Sequence, residues 1–176
     1  MLNNLLVYRF VVFNLVMLVM LMASVVMGLG YDAFTLDISY ITWIIAALFT
    51  ITLGSTGVQG WKIAGTINRH KAREIFLGKN AAQKRLEKIE HIQSCANWMV
   101  TLGLLGTVYG FLIALSGVSV EQASNITGVQ KLVTHLIAGA QTALYTTLVG
   151  GFFGLWTEVN YRMVKTAAVV LEKDAL

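Results

Sequence analysis

The stretch from Leu102 to Gly117 constrains the fold of this chain more than any other part of its sequence. Its residues, LGLLGTVYGFLIALSG, are apolar enough to cross a bilayer, yet small residues recur every three or four positions along one side of a helix. Because lipid supplies little hydrophobic force between helices, such a face favours association by letting two backbones approach closely. The small residues are Gly103, Thr107, Gly110, Ala114 and Gly117.

A second segment, from Ala140 to Thr157, repeats this pattern along its length. Its small residues are Ala140, Ala143, Thr147, Gly150, Gly154 and Thr157. We therefore predict that the two helices pack against each other through their small faces.

Composition places the whole chain in a membrane. Hydrophobic residues make up 56% of the 176 positions and charged residues only 12%, against about a quarter charged in soluble domains. The single cysteine, Cys95, excludes an internal disulfide. There are no paired carboxylates, no Cys/His cluster and no phosphate loop in a suitable context. The sequence thus predicts an all-α integral membrane protein that is not an enzyme and holds no metal or cofactor.

Four apolar segments predict four transmembrane helices, at Leu5–Leu29, Ile38–Gly57, Ala96–Val118 and Leu132–Tyr161. The first could also be a signal peptide. Its apolar run exceeds the usual length of about 7–15 residues, however, and Ala23-Ser24-Val25 is a poor cleavage site, so we interpret it as a retained helix.

The charges predict the topology. Eight of the 13 Lys and Arg residues lie between Trp61 and Glu90, whereas the loops 30–37 and 119–130 contain none. By the positive-inside rule, the central connection and both termini should be cytoplasmic. Within the central connection, the run KNAAQKRLEKIEHI predicts an amphipathic helix. Its basic face could bind anionic lipid or nucleic acid, but a solvated connection that sets the topology is the favoured interpretation.

Two threonines on the small faces are candidates for function. Thr107 lies eleven residues into the third helix and Thr147 about fifteen into the fourth, so antiparallel packing should hold their hydroxyls near one depth, close to the midplane. Each hydroxyl could bond to the carbonyl four residues earlier. Alternatively, the pair could line a polar path for an ion, and both interpretations remain open.

Glu158 is an ionisable residue within the last predicted span, which by default suggests a function. It shares a helix face with Thr147 and Gly154 and could act as a proton relay. Arg162, four residues on, could instead form an ordinary helix salt bridge with it. No Asp occurs inside any span, so a carboxylate needed at mid-membrane would have to come from a second polypeptide.

The segments LGLLGTVYG (102–110) and ALYTTLVGGFFGLWTEVNY (143–161) resemble the pore signatures of the MotA/TolQ/ExbB proton-channel family. By motif position, Thr107 and Thr147 correspond to the functional threonines of that family. Thr146 and Thr147 together look like the pair in some sodium-driven stators, so Thr146 joins the candidate ion pathway. The candidate packing residues are Gly103, Gly106, Gly110, Ala114, Ala143, Gly150 and Gly154.

The resemblance implies a homopentamer in a bacterial-type inner membrane. Its third and fourth helices would line a central pore around a dimer of a single-span partner that carries a membrane Asp. The chain then divides into peripheral helices (1–60), a basic cytoplasmic connection (61–94), a pore-lining pair (95–162) and a cytoplasmic tail (163–176). The expected partners are lipid and this single-span protein. No nucleic acid is expected to bind.

Four spans make the chain similar to MotA, but its short connection has no room for the domain that engages a flagellar rotor. We predict a subunit of an ion-driven channel or motor, with the proton favoured over sodium, that moves the single-span partner. The alternative is a structural or pore-forming oligomer, holin-like or a scaffold, that uses the small faces only for assembly.

Overall fold

The structure, a computed structural model, describes residues 2–73, 79–116 and 126–173, and the regular structure in these ranges is entirely helical. The helices are α1 (Leu2–Val26), α2 (Leu29–Thr35), α3 (Ile41–Arg73), α4 (Lys79–Ser116) and α5 (Ile126–Lys173).

Within the described ranges, four helices are long and apolar enough to cross a membrane, as the four predicted spans require. The apolar segments are Tyr8–Val26, Ile41–Lys62, Ile89–Ser116 and Ile126–Thr166. Helices α3, α4 and α5 extend beyond their predicted spans at the end of the bundle away from α2, where no proline interrupts them. With 48 residues, α5 is about 72 Å long.

The turn between α1 and α3, residues 27–40, defines what we call the turn end of the bundle. The predicted simple turn instead contains α2. The N-cap residue of α2, Gly28, has a φ of 85°, a left-handed conformation that glycine adopts easily. Before α3, the Asp37 carboxylate accepts hydrogen bonds from the backbone N–H groups of Ser39 and Thr42, each at 2.9 Å. The bond from Thr42 satisfies an N–H group that the start of a helix leaves free, and the bond from Ser39 fixes the turn before it.

A buried threonine of α5 fixes this turn to the rest of the bundle. The Thr142 hydroxyl donates to the Leu36 carbonyl at 3.4 Å and accepts from the Ile38 N–H at 3.5 Å. Residues 36–38 therefore lie level with Thr142.

The core lies between α3, α4 and α5. Phe49 of α3 stacks on Phe153 of α5 with ring centroids 4.4 Å apart, and Trp156 lies 4.8 Å from the same Phe49 ring. Met99 of α4 and Ile45 of α3 are fully buried beside them.

At the opposite end, which we call the basic end, the same helices continue beyond the predicted spans. Ile89, Ile92 and Val164 are buried there, so the start of the predicted connection is part of α3 and its end is part of α4. Residues 74–78 and the side chains of 79–86 lie outside the described part of the chain, and with them most of the predicted basic face.

The second short loop, predicted for 119–130, is also partly helical. Its last residues, from Ile126, form the first turn of α5, while residues 117–125, including Gly117 of the small face, lie outside the described ranges. The predicted tail is helical as far as Lys173.

Candidate functional site between α4 and α5

The small faces of α4 and α5 bring the two backbones into direct contact, as predicted. A Cβ atom on Gly103 would lie 2.9 Å from the Thr146 carbonyl oxygen, and one on Gly150 would lie 2.7 Å from the Met99 carbonyl oxygen. Real Cβ atoms do not approach backbone this closely, so the contact requires glycine at both positions.

The other predicted packing residues extend this contact along both helices. Gly106 faces the Thr146 side chain, a Cβ on Gly110 would meet the Ala143 nitrogen at 2.5 Å, and one on Gly154 would meet Val100 Cγ2 at 2.6 Å. Ala114 and Ala143 are buried in the same contact.

Gly139, which the sequence analysis did not select, opposes Ala114. Its position four residues before Ala143 is the signal that could have identified it, because it continues the same spacing.

Thr107 and Thr147 meet within this contact, and their hydroxyl oxygens are hydrogen-bonded to each other. This confirms the predicted proximity. Each hydroxyl also lies 3.1 Å from the carbonyl four residues earlier, Gly103 for Thr107 and Ala143 for Thr147. The two crossed distances, Thr107 to the Ala143 carbonyl and Thr147 to the Gly103 carbonyl, are 3.4 Å.

The two hydroxyls and the two carbonyls therefore form one cluster, and a part for it in an ion path stays a prediction. Each hydroxyl has a single hydrogen, so one threonine donates to the other while the second donates to a carbonyl. The reverse arrangement is equally available in this geometry. Rotating both O–H bonds exchanges the two arrangements, which is the property needed to pass a proton along a chain of hydrogen bonds.

The hydroxyl pair lies nearer the turn end than the predicted midplane. Thr142 is level with the turn, and Thr147 lies five residues from it, or about 7.5 Å along α5. The difference arises because α5 begins at Ile126, well beyond the level at which α3 begins. Counting residues into the last span therefore places the threonine too deep relative to α1 and α3.

Thr146 is not brought to this pair. It is fully buried, its hydroxyl lies 2.9 Å from the Thr142 carbonyl and 3.2 Å from the Ala143 carbonyl, and its side chain packs against Gly106. It makes no hydrogen bond to either hydroxyl of the pair, and its part in an ion pathway stays a prediction.

Glu158 forms the predicted ion pair with Arg162, at 2.9 Å between Oε1 and Nε. The Glu158 side chain is 23% exposed and that of Arg162 is 75% exposed. The salt bridge is confirmed, and a part for Glu158 in ion movement stays a prediction.

A polar cluster that the sequence analysis missed joins α1 to α5. The side-chain amides of Asn14 and Asn160 donate to each other at 2.9 and 3.0 Å, and the Trp156 indole N–H donates to Asn14 Oδ1 at 2.8 Å. Asn14 was visible as a polar residue in an apolar helix, but its partners are 142 and 146 residues away in sequence.

Within the described residues, no group of three or more His, Cys, Asp and Glu could hold a metal ion. The chemistry available at the α4–α5 contact is that of hydroxyl and carbonyl oxygens, which can accept a cation or exchange a proton.

The apolar helices and this hydroxyl-bearing contact define a multi-pass membrane protein built around an antiparallel helix pair. The MotA/TolQ/ExbB proton channel family matches residues 56–174, more than half of the chain, and the chain belongs to that family. Comparison with curated proteins and with solved structures finds no significant match.

Proposed function

We propose that this chain is the channel subunit of an ion-driven motor that converts proton flow into movement of a single-span partner. The observation that carries the proposal is the Thr107–Thr147 hydroxyl pair. It lies within the part of the chain that matches the proton channel family, at a backbone contact that holds both side chains in place.

The proposed topology follows from the charges. The basic end lies in the cytoplasm together with both termini, and the turn end lies on the opposite side of a bacterial-type inner membrane. Five copies surround a dimer of the partner, with the exposed sides of α4 and α5 lining the pore. These features are expected from the family.

The chemistry divides between the two proteins. The partner supplies a membrane carboxylate, and neutralising that carboxylate removes a large desolvation cost, so it can pass an apolar surface. The hydroxyl pair of this chain accepts the ion and passes it on, because each hydroxyl both donates and accepts a hydrogen bond. Movement of the partner inside the pentamer is the output.

The test is a proton-flux assay in liposomes that contain the chain co-purified with a single-span partner bearing a membrane Asp. Thr147→Val keeps the side-chain shape and removes the hydroxyl. Thr146→Val is the matched control, because it removes the adjacent hydroxyl, which lies outside the pair. We expect Thr147→Val to abolish flux and Thr146→Val to retain it, with both variants assembled.

Equal flux in native protein and Thr147→Val would remove the hydroxyl pair from the pathway. An assembled native complex that conducts neither protons nor sodium would overturn the motor and leave the structural or pore-forming oligomer. Replacing the proton gradient with a sodium gradient identifies the ion.

A further inference from the structure

The exposed side of the α4–α5 pair changes from polar to apolar along its length. On α4, the exposed residues nearest the basic end are polar apart from Trp98 and Val100, and those toward the turn end are apolar. On α5, exposed Leu148 and Leu155 are followed toward the basic end by the Glu158–Arg162 ion pair. The polar α4 residues on this face are Ser94, Asn97 and Thr101, and the apolar ones are Leu104, Leu105 and Val108.

Contacts with α1 establish how deep the ion pair lies. Asn160 is level with Asn14, because their amides are hydrogen-bonded. Asn14 lies five residues toward the turn end from Arg9, the only charged residue of α1. Glu158 lies two residues further in the same direction. The backbone of Glu158 is therefore about 10 Å inside the level of Arg9.

Contacts with α3 give the same depth independently. The His91 ring of α4 lies 3.1 Å from the Ser55 hydroxyl of α3. Ser55 lies seven residues toward the turn end from Lys62, where the apolar segment of α3 ends. His91, two residues after the start of the apolar segment of α4 at Ile89, is thus level with a point about 10 Å inside the apolar segment of α3.

At this depth α1 presents only apolar side chains to its surroundings. Val11, Val12, Leu15 and Val16 are all exposed there, as expected for a surface in contact with lipid. A charged side chain facing lipid at the same depth is expensive, so such residues usually face a bundle interior or a water-filled cavity. Glu158 lies at this depth, and its ion-pair partner Arg162, whose backbone is two residues nearer the basic end than Asn160, has 75% of its side chain exposed. The ion pair therefore needs one of these environments.

We propose that the polar half of this face lines a water-filled vestibule that opens at the basic end and ends just beyond Thr101. Thr101 lies six residues from Thr107, so water would reach within about 9 Å of the hydroxyl pair. On the turn-end side of Thr101, the apolar side chains of Leu104, Leu105 and Val108 close the vestibule. This proposal rests on the proposed function in two respects: that the face lines a pore, and that the basic end is cytoplasmic.

Such a vestibule gives separate roles to the two polar features of helices α4 and α5. The hydroxyl pair is the narrow step, and the Glu158–Arg162 pair is a hydrated fixed charge on the way to the cytoplasm. Only the apolar closure, one or two helical turns long, then separates an ion on the hydroxyls from water.

The test is cysteine accessibility in inside-out membrane vesicles that contain the assembled protein. Cys95, the only native cysteine, is first replaced by Ala. Asn97→Cys and Thr101→Cys are then treated with a charged, membrane-impermeant thiosulfonate, and Ser94→Cys supplies a conservative variant should either of them fail to assemble. Leu15→Cys on α1, which lies nearer the basic end than Asn97 and Thr101, is the lipid-facing control, Leu105→Cys tests the closure, and Glu87→Cys is the positive control.

We expect the vestibule cysteines to react at least about tenfold faster than Leu15→Cys and Leu105→Cys, because only the thiolate reacts and an apolar environment keeps a thiol protonated. Rates at Asn97 and Thr101 as slow as at Leu15 would overturn the vestibule. Equal rates at Thr101 and Leu105 would overturn its closure. Because labelling needs neither partner nor gradient, labelling without flux would refute only the motor, and flux without labelling would refute only the vestibule.

Discussion

Helices α4 and α1 are both held against α5, but by different physical means. The α4–α5 contact is a continuous backbone approach at glycines and alanines. The α1–α5 contact depends on a local polar cluster, Asn14 with Asn160 and Trp156, while most of the α1 surface is exposed. One helix is held by its shape along its length, and the other by a few hydrogen bonds together with Phe13, Met17 and Leu21, which pack against the core.

The difference indicates which part of the molecule can move. Close backbone packing fixes rotation and register together, because many atoms on both helices would clash if either changed. A single polar cluster fixes register at one point and leaves the remaining surface free to pack on lipid or on another protein. The hydroxyl pair lies in the first kind of contact, which is suited to holding two oxygens at a constant separation.

The largest predicted effect tests the backbone contact. Gly150→Ala should destabilise the protein by about 1–3 kcal/mol, because the new Cβ has no space and two backbones must separate. The measurement is thermal unfolding in detergent, followed by near-UV circular dichroism. A Cβ at this position would lie 2.7 Å from the Met99 carbonyl.

Gly54→Ala on α3 is the matched control. A Cβ there meets no atom within 4 Å, so the substitution should stabilise the helix by up to about 1 kcal/mol through propensity alone. Changes of opposite sign in the free energy of unfolding at the two glycines would confirm that backbone contact, and not glycine content, governs α4–α5 packing. Similar losses of stability in both variants would contradict this explanation.

Much of this contrast could be predicted from sequence, because it depends on local periodicity. The small faces and the four spans follow from spacing and composition, and the juxtaposition of Thr107 and Thr147 follows from antiparallel packing of those faces. The depth of the pair could not be predicted, because it depends on how far α4 and α5 extend beyond α1 and α3.

The remaining features depend on contacts that sequence spacing does not encode. Asn14 finds its partners only when α1 lies against α5 in one register, and Thr142 meets the turn only once α2 has formed. The pattern of α2, LGYDAFT, is too short to give a helical period. Thr146 and Thr147 are adjacent in sequence, but the helix directs one into the interior and the other to the exposed side.

The next effect concerns the turn that connects α1 to the bundle. Asp37→Ala should cost about 1–2 kcal/mol, because the backbone N–H groups of Ser39 and Thr42 lose their acceptor. Thermal unfolding measures this loss. Asp32→Ala, the other acid of the turn end, is the control and should cost less, since the structure gives its side chain no hydrogen bond in this cap. Equal losses would argue against the cap.

A double-mutant cycle on Asn14 and Asn160 tests the polar attachment of α1. Asn14→Leu leaves the Asn160 amide and the Trp156 N–H without their partner and should cost about 1 kcal/mol. Asn160→Leu should add less in the double variant than it costs alone. Strict additivity of the two losses would mean that the amides do not stabilise each other and that α1 is held by packing.

The smallest predicted effect separates stability from function at the hydroxyl pair. Thr107→Val should change the free energy of unfolding by only about 0.6 kcal/mol, the average for hydrogen bonds between membrane helices. The Thr147 hydroxyl keeps the Ala143 carbonyl as an acceptor at 3.1 Å, so no donor is left unsatisfied. Thermal unfolding of Thr107→Val beside Gly150→Ala measures this, and flux through the same Thr107→Val preparation should be lost. A loss of stability as large as that of Gly150→Ala would instead show that the hydroxyls hold the helices together, and their place in an ion pathway would then need evidence other than loss of flux.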